Sequence, residues 1–193
     1  MSTLDEEDRR EYYRIEDRIA LEINPLSAAE ALGADLLQDD SPLFNLLSEL
    51  HLSEFESQHL LRQISERDRA IAAFLKSQNK RIDLLSQVVA LTVLGQIGEP
   101  QPVIISEGGI DFQHPTPIAA GAHLSVKLVL MPQALGLLLR ARVTHCDRKG
   151  EGYDIGTEFE HLTDAQRQLL ARYILQKQAQ ERRLAREQNE SGI

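Results

Sequence analysis

Arg9, Arg10 and Arg14 crowd one short stretch, Arg9-Arg10-Glu11-Tyr12-Tyr13-Arg14, and far downstream the chain reads Ser106-Glu107-Gly108-Gly109-Ile110. Each half carries its own chemistry. A guanidinium is a planar fork of donors that matches phosphate oxygens bidentately and fits the O6 and N7 atoms of guanine in the same geometry. A serine hydroxyl donates and accepts, and two consecutive glycines permit positive φ and close backbone approach without any side chain. Both halves stand immediately before an alternating, strand-like stretch, so a fold that brings those strands together would make one split nucleotide site.

Other candidates are weaker. His114, His123 and His145 lie in the strand region without a neighbouring ligand pattern, so no metal site is expected. Cys146 should share a strand face with Arg140 and Arg142, opposite His145, because adjacent strand residues point to opposite faces; it is not set up as a nucleophile. The acidic residues form no paired-carboxylate motif, and no residue set supports an enzyme.

Composition narrows the ligand. The 193 residues carry 30 acidic against 21 basic side chains, a net charge of −9, which disfavours nucleic acid polymers and anionic membranes. A small dianion remains compatible, because charges are screened beyond about 8 Å and an arginine cluster dominates its own pocket. Asp5-Glu6-Glu7-Asp8 lies immediately upstream of that cluster. One cysteine rules out an internal disulfide and, with no signal peptide visible, favours a reducing cytoplasm. The apolar run at 84–94 is too short and too polar to span a bilayer.

The elements that must position these residues follow from periodicity. Arg14 to Ile23 alternates, with Ile15, Ile19, Leu21 and Ile23 on one face of a first strand. Ser27-Ala28-Ala29-Glu30 is a capping box for a short helix closed by Gly33, and Ser41-Pro42 opens another, with Leu43, Leu46, Leu47 and Leu50 along one face. A third box at Ser53-Glu54-Phe55-Glu56 predicts a long helix over about 54–94, roughly 60 Å at 1.5 Å per residue. Its apolar positions step by three and four through Leu61, Ile64, Asp68, Ile71, Leu75, Gln78, Ile82, Leu85, Val89 and Thr92. That is a heptad seam with two polar positions, widened by Leu60, Phe74 and Val88, and it implies self-association over 57–94, parallel or antiparallel. Gly95, Gly98 and Pro100 end the helix. Short strands then recur at Val103–Ile105, Ile110–Phe112, Leu124–Leu130, Leu137–Thr144 and Tyr153–Phe159. Arg140, Arg142 and Thr144 take a wetter face, and Asp147-Arg148-Lys149-Gly150 forms a turn. The pattern predicts a small closed barrel completed by the first strand. Thr163-Asp164-Ala165-Gln166 caps a last helix buried through Leu169, Leu170, Tyr173 and Ile174, fraying beyond about Gln188.

The two halves of the site resemble the signature of PilZ domains, bacterial receptors for cyclic di-GMP. The Arg-x-x-x-Arg falls at Arg10 and Arg14, and an [Asp/Asn]-x-Ser-x-x-Gly falls at Ser106 and Gly109 with Ile104 in its leading position. Motif order, spacing to the strands and the strand Tyr153 to Phe159 followed by a capped helix also agree with that family. The resemblance implies an α+β fold: a small antiparallel PilZ-type β-barrel with a C-terminal helix. It covers an arm and first strand at 1–24, the rest of the barrel at 100–160 and the terminal helix and tail at 161–193. Residues 25–99 have no place in a minimal barrel and resemble the helical insertion, a coiled-coil segment, of an atypical PilZ subgroup that self-associates through heptads.

By that resemblance Arg10 and Arg14 grip cyclic di-GMP, Arg9 adds a cation, Ser106 offers a hydroxyl, and Gly108 and Gly109 allow backbone approach. No other cofactor is implied. Ile104 removes a partner for the guanine edge; an edge left unpaired in a desolvated pocket costs about 1–3 kcal/mol, roughly a tenfold to hundredfold loss of affinity. The expected protein is a cytoplasmic bacterial signalling receptor or adaptor. It transmits through contacts with itself, as a dimer to tetramer, and with a further protein partner that the sequence does not name. The alternative is a nucleotide-independent oligomeric scaffold acting only by protein–protein interaction.

Overall fold

A computed structural model describes residues 13–33 and 37–190. Six strands, β1 (Ile15–Pro25), β2 (Gln101–Ile105), β3 (Ile110–His114), β4 (His123–Leu130), β5 (Leu135–Lys149) and β6 (Gly152–Glu160), close into a barrel in the order β1-β2-β3-β6-β5-β4. All neighbours are antiparallel. The first strand does complete the barrel, and it does so by serving two partners: Ile15 to Ile19 pair with β2, and Ala20 to Pro25 pair with β4. Closure removes the exposed sheet edges that an open arrangement would leave.

Alternation fills the barrel. Ile15, Ile19 and Leu21 meet Val103, Ile105, Ile110, Phe112, Leu128, Leu139 and Ile155 inside. The terminal helix, α4 (Asp164–Glu190), adds Leu169, Leu170, Tyr173 and Ile174 to the same core. Its start is a reciprocal cap: Gln166 N donates to Thr163 Oγ1 at 3.1 Å and Thr163 N donates to Gln166 Oε1 at 3.0 Å. The Tyr173 hydroxyl donates to Asp17, which also accepts from Lys177 Nζ at 2.9 Å, so α4 is tied to β1 by a polar cluster beside the apolar one.

The inserted helices are α1 (Ala28–Leu32), α2 (Pro42–Arg67) and α3 (Arg69–Ile97). The capping box of Ser27 with Glu30 forms, and Ser41 caps α2 with Pro42 in its first turn. Ser53, read from sequence as a helix start, lies inside α2 instead. The single long helix over 54–94 is also corrected. Asp68 is extended, at φ −143° and ψ 104°, donates its N–H to Ile64 O at 2.8 Å, and accepts from Ala70 N at 2.9 Å and Ile71 N at 3.0 Å through its side chain. It therefore ends one helix and caps the next, a use of aspartate that competes with its staying helical. The chain folds back there: Ser41 Oγ, before α2, lies 3.3 Å from Gln96 Oε1 near the end of α3.

The heptad seam is rewritten by this hairpin. Leu61 and Ile64 fall on α2, Asp68 on the break, and Ile71, Leu75, Gln78, Ile82, Leu85 and Val89 on α3. What α3 buries is a face of mostly small residues, Ala72, Ser86, Ala90 and Val93, whereas Ile71, Phe74, Leu85, Val88 and Leu91 remain exposed. On α2 the buried residues are Phe44, Leu47 and His51, not the expected row of four leucines, and Leu43, Leu46 and Leu50 stay exposed. Phe44, Leu47, Ala90 and Val93 pack on Val129 of β4 and on Ala134, so the hairpin docks on the outside of the barrel by the ends near its root. Val129 sits between the core residues Leu128 and Leu130 and points outward; its cross-strand partner Ala20 is equally buried. Among the described residues no helix is long and apolar enough to cross a membrane.

Candidate functional site

The loop between β2 and β3 is built around its own serine. Ser106 N donates to Gly109 O at 2.9 Å, the Ser106 hydroxyl accepts from Gly108 N at 3.2 Å and donates to Gly109 O at 3.4 Å. Ser106 is buried, and its hydroxyl is engaged in shaping the turn. The glycine pair was expected to allow positive φ. The described glycines with positive φ are Gly98, Gly121 and Gly150, and Gly109 is needed for another reason. A Cβ there would stand 2.0 Å from Thr157 O, so close approach occurs, but to β6 of the same barrel. Gly108 O accepts from Phe159 N at 2.8 Å and fastens the loop to that strand.

A cross-strand row runs beside this loop. Register pairs Glu16 with Ile104, Ile104 with Asp111, Asp111 with Gly156, and Gly156 with His145. Ile104 is 37 % exposed. Arg14, just ahead of β1, donates from Nη1 to Asp111 Oδ2 at 3.1 Å, with the arginine side chain 50 % and the aspartate 19 % exposed. Burial raises the Asp111 carboxyl above its ordinary range; Arg14 and His145 oppose that shift, Asp154 adds to it, and a backbone hydrogen bond from Thr157 opposes it. The His145 ring lies over Gly156, where a Cβ would meet Cε1 at 1.9 Å.

His145 reaches that place through a bulge between Val143 and His145. Thr144 Oγ1 donates to Gly156 O at 3.0 Å there. The extra residue reverses the parity of β5, which corrects the expectation for Cys146: it packs toward the barrel core with the Val143 face, not beside Arg140 and Arg142. Arg140 is no wetter-face residue either. It is buried, with Nε donating to Glu30 O of α1 at 3.0 Å. β5 also continues to Lys149, so the turn falls at Gly150 rather than over 147–150.

Arg14, Ile104, Ser106, Gly108 and Gly109 border one cleft of about 490 Å³, a volume in the usual range of small-molecule sites. Arg9 and Arg10 lie outside the described residues. The cleft also takes in Asp111, His145, Thr157 and, from α4, Arg167, none of which the sequence reading assigned to it. Gly156 inside a strand was the available signal, since glycine in a strand marks a bulge or a close approach. Asp111 had only its position beyond Gly109, which means nothing until the register is known. The cleft mixes charge: Arg14 and Arg167 face Glu107, Asp111 and Glu158. Among the described residues no group of three or more His, Cys, Asp or Glu could hold a metal ion.

A family profile described as PilZ domain matches residues 75–176, just over half of the chain, beginning within α3 and ending within α4. It takes in β2 to β6 but not Arg14 or β1. No curated protein matches the chain. A solved protein from Xanthomonas campestris, described as a tetrameric PilZ domain self-assembled via an unusual helical bundle, is similar in fold. It has a TM-score of 0.56 at 16 % identity, over 89 % of this chain and 91 % of that one. The inhibitor of motility MotI/DgrA of Bacillus subtilis aligns over 42 % of each chain at 20 % identity with a TM-score of 0.37, too partial a likeness to carry an argument.

Proposed function

The chain belongs to the PilZ domain family, and from that premise we propose that it binds cyclic di-GMP in the cleft beside β2 and β3 and works as a self-assembling signalling receptor or adaptor. One observation carries the reading. Arg14 and the Ser106–Gly109 loop, the two halves of the split site, face the same cleft although β1 and β2 are separated by the whole helical insertion. Arg14 suits a phosphodiester or the O6 and N7 edge of guanine, and Arg9 and Arg10 of the same arm would add to it. Arg167 gives the cleft a second described cation. The role is transmission, not catalysis, in a reducing cytoplasm where the thiol of Cys146 stays free, and the output passes to a further protein.

Assembly rests on the hairpin. Ile71, Phe74, Leu85, Val88 and Leu91 are large apolar side chains left exposed along α3, and exposed apolar surface of this kind marks sites of protein–protein contact. A second copy of the chain is the occupant proposed here, as a dimer to tetramer. The Xanthomonas relative, similar over nearly the whole length of both chains, is described as a tetramer assembled through a helical bundle.

A second reading has observations of its own. Ile104 offers no hydrogen bond, Arg14 is already paired with Asp111, and the Ser106 hydroxyl is occupied within its turn. Those facts favour a scaffold that binds no nucleotide. Calorimetric titration separates the two. Saturable heat with cyclic di-GMP, weakened at least about tenfold in Arg14→Ala, is the expected result; no heat at high micromolar ligand would leave the scaffold.

A further inference from the structure

Resting on that reading of the cleft, we propose that Asp111 supplies the carboxylate that reads guanine, in place of the side chain that Ile104 cannot provide. Ile104 and Asp111 stand directly opposite each other on β2 and β3 and both border the cleft. Directly opposed residues share one face of the sheet with Cβ atoms about 4.5–5.5 Å apart. A hydrogen-bonding group missing at 104 is thereby restored one strand over, within a side chain's reach of the same groove.

The surroundings of Asp111 fit the task. Guanine presents N1–H and the N2 amine side by side, two donors that match the two oxygens of a carboxylate. Arg14, held at 3.1 Å from Oδ2, is placed to take an acceptor edge or a phosphate next to that contact. On one side Ile104 offers an apolar surface to a purine face. On the other Gly156 has no side chain, and the His145 ring lies over it. The other carboxylates of the cleft are less suited. Glu158, like Asp111, is ion-paired, to Arg142 at 2.9 Å, but its side chain is 57 % exposed against 19 % for Asp111, so a hydrogen bond to Asp111 competes less with water. Glu107 belongs to the loop, not to the row that contains Ile104.

The test compares cyclic di-GMP with cyclic di-IMP, whose hypoxanthine keeps N1–H and lacks the amine, by calorimetric titration of the full chain. The wild type is expected to prefer cyclic di-GMP by about tenfold or more. Asp111→Asn should reduce that preference below about threefold, and Ile104→Asp added to Asp111→Asn should restore it by returning a carboxylate to the opposite strand position. A residue that merely held Arg14 would weaken both ligands alike and leave the ratio unchanged, so an unchanged ratio in Asp111→Asn overturns the proposal. Equal affinity of the wild type for the two ligands overturns it without any variant, which covers the case of a variant that does not fold. Absence of cyclic di-GMP binding by the wild type is a different result: it rejects the reading of the cleft itself, and this proposal with it.

Discussion

Asp111 is a carboxylate kept where folding alone would not place one. Its folded pKa lies above its ordinary value, chiefly through burial, and Arg14 and His145 offset this only in part. A carboxyl with a raised folded pKa contributes stability that is fully present below its unfolded pKa and is lost as pH rises through the folded value. At pH 7 the ionised side chain is therefore held at a net cost. Asp111→Asn should unfold at the same or a higher denaturant concentration than the wild type at pH 7, with the advantage gone below the ordinary value of 3.8. Denaturant titrations at the two pH values read this directly, and a clearly lower midpoint for the variant at neutral pH would contradict it. Perturbed groups of this kind concentrate at functional sites. Gly109 carries the opposite lesson. Its missing Cβ is required by Thr157 O, so its motif position is explained by barrel geometry before any ligand is considered.

The helical insertion turns on one element boundary. As a seam position, Asp68 read as a polar interruption in a continuous helix; in the fold it stops α2 and starts α3, satisfying two amides at the new N-terminus. The difference decides which apolar residues are available. In one straight helix Leu61 and Ile64 would continue the stripe of Ile71, Leu75, Ile82 and Leu85, whereas the break leaves them on α2 and the hairpin turns Ala72, Ser86, Ala90 and Val93 of α3 inward. Small residues let helices and barrel approach closely, and the larger side chains are left outside. Replacing Asp68 by Ala removes the cap and should cost about 1 kcal/mol of stability with little change in helix content. Thermal unfolding followed by circular dichroism measures both, and an unaltered melting temperature would show that the cap does not hold the hairpin.

At the scale of the whole molecule, the cleft and the exposed helical face are separate surfaces joined by β1. Arg14 precedes the half of β1 that pairs with β2, while Ala20 lies in the half that pairs with β4 under the docked hairpin. Val88 is 63 % exposed on α3 and does not border the cleft. Val88→Glu places a charge in the proposed interface and should lower the mass measured by light scattering toward the protomer. Protomer stability should change by less than about 0.5 kcal/mol, as for an ordinary surface site, and cyclic di-GMP titration should be unaffected. A variant that keeps the wild-type mass would place the assembly surface elsewhere.

Periodicity and turn chemistry in the chain determined the strands, the closed barrel and the caps at Ser27, Ser41 and Thr163. The strands and caps each depend on a few neighbouring residues whose side-chain alternation or capping oxygens act locally, and the closed barrel follows from the number and spacing of those strands. The motif spacing also singles out Arg14, Ser106 and Gly109, three residues that border one cleft in the fold. Tertiary structure alone decided the rest. Whether Asp68 continues a helix or breaks it depends on the barrel face that the returning helix can cover. Whether Cys146 points in or out depends on a single extra residue in β5, because side chains alternate with period two and one insertion reverses every residue after it. That Asp111 stands beside Ile104 follows from the Ser106–Gly109 turn, which sets the register of β2 on β3; that the pair faces Arg14 depends on β1, brought in from far along the chain.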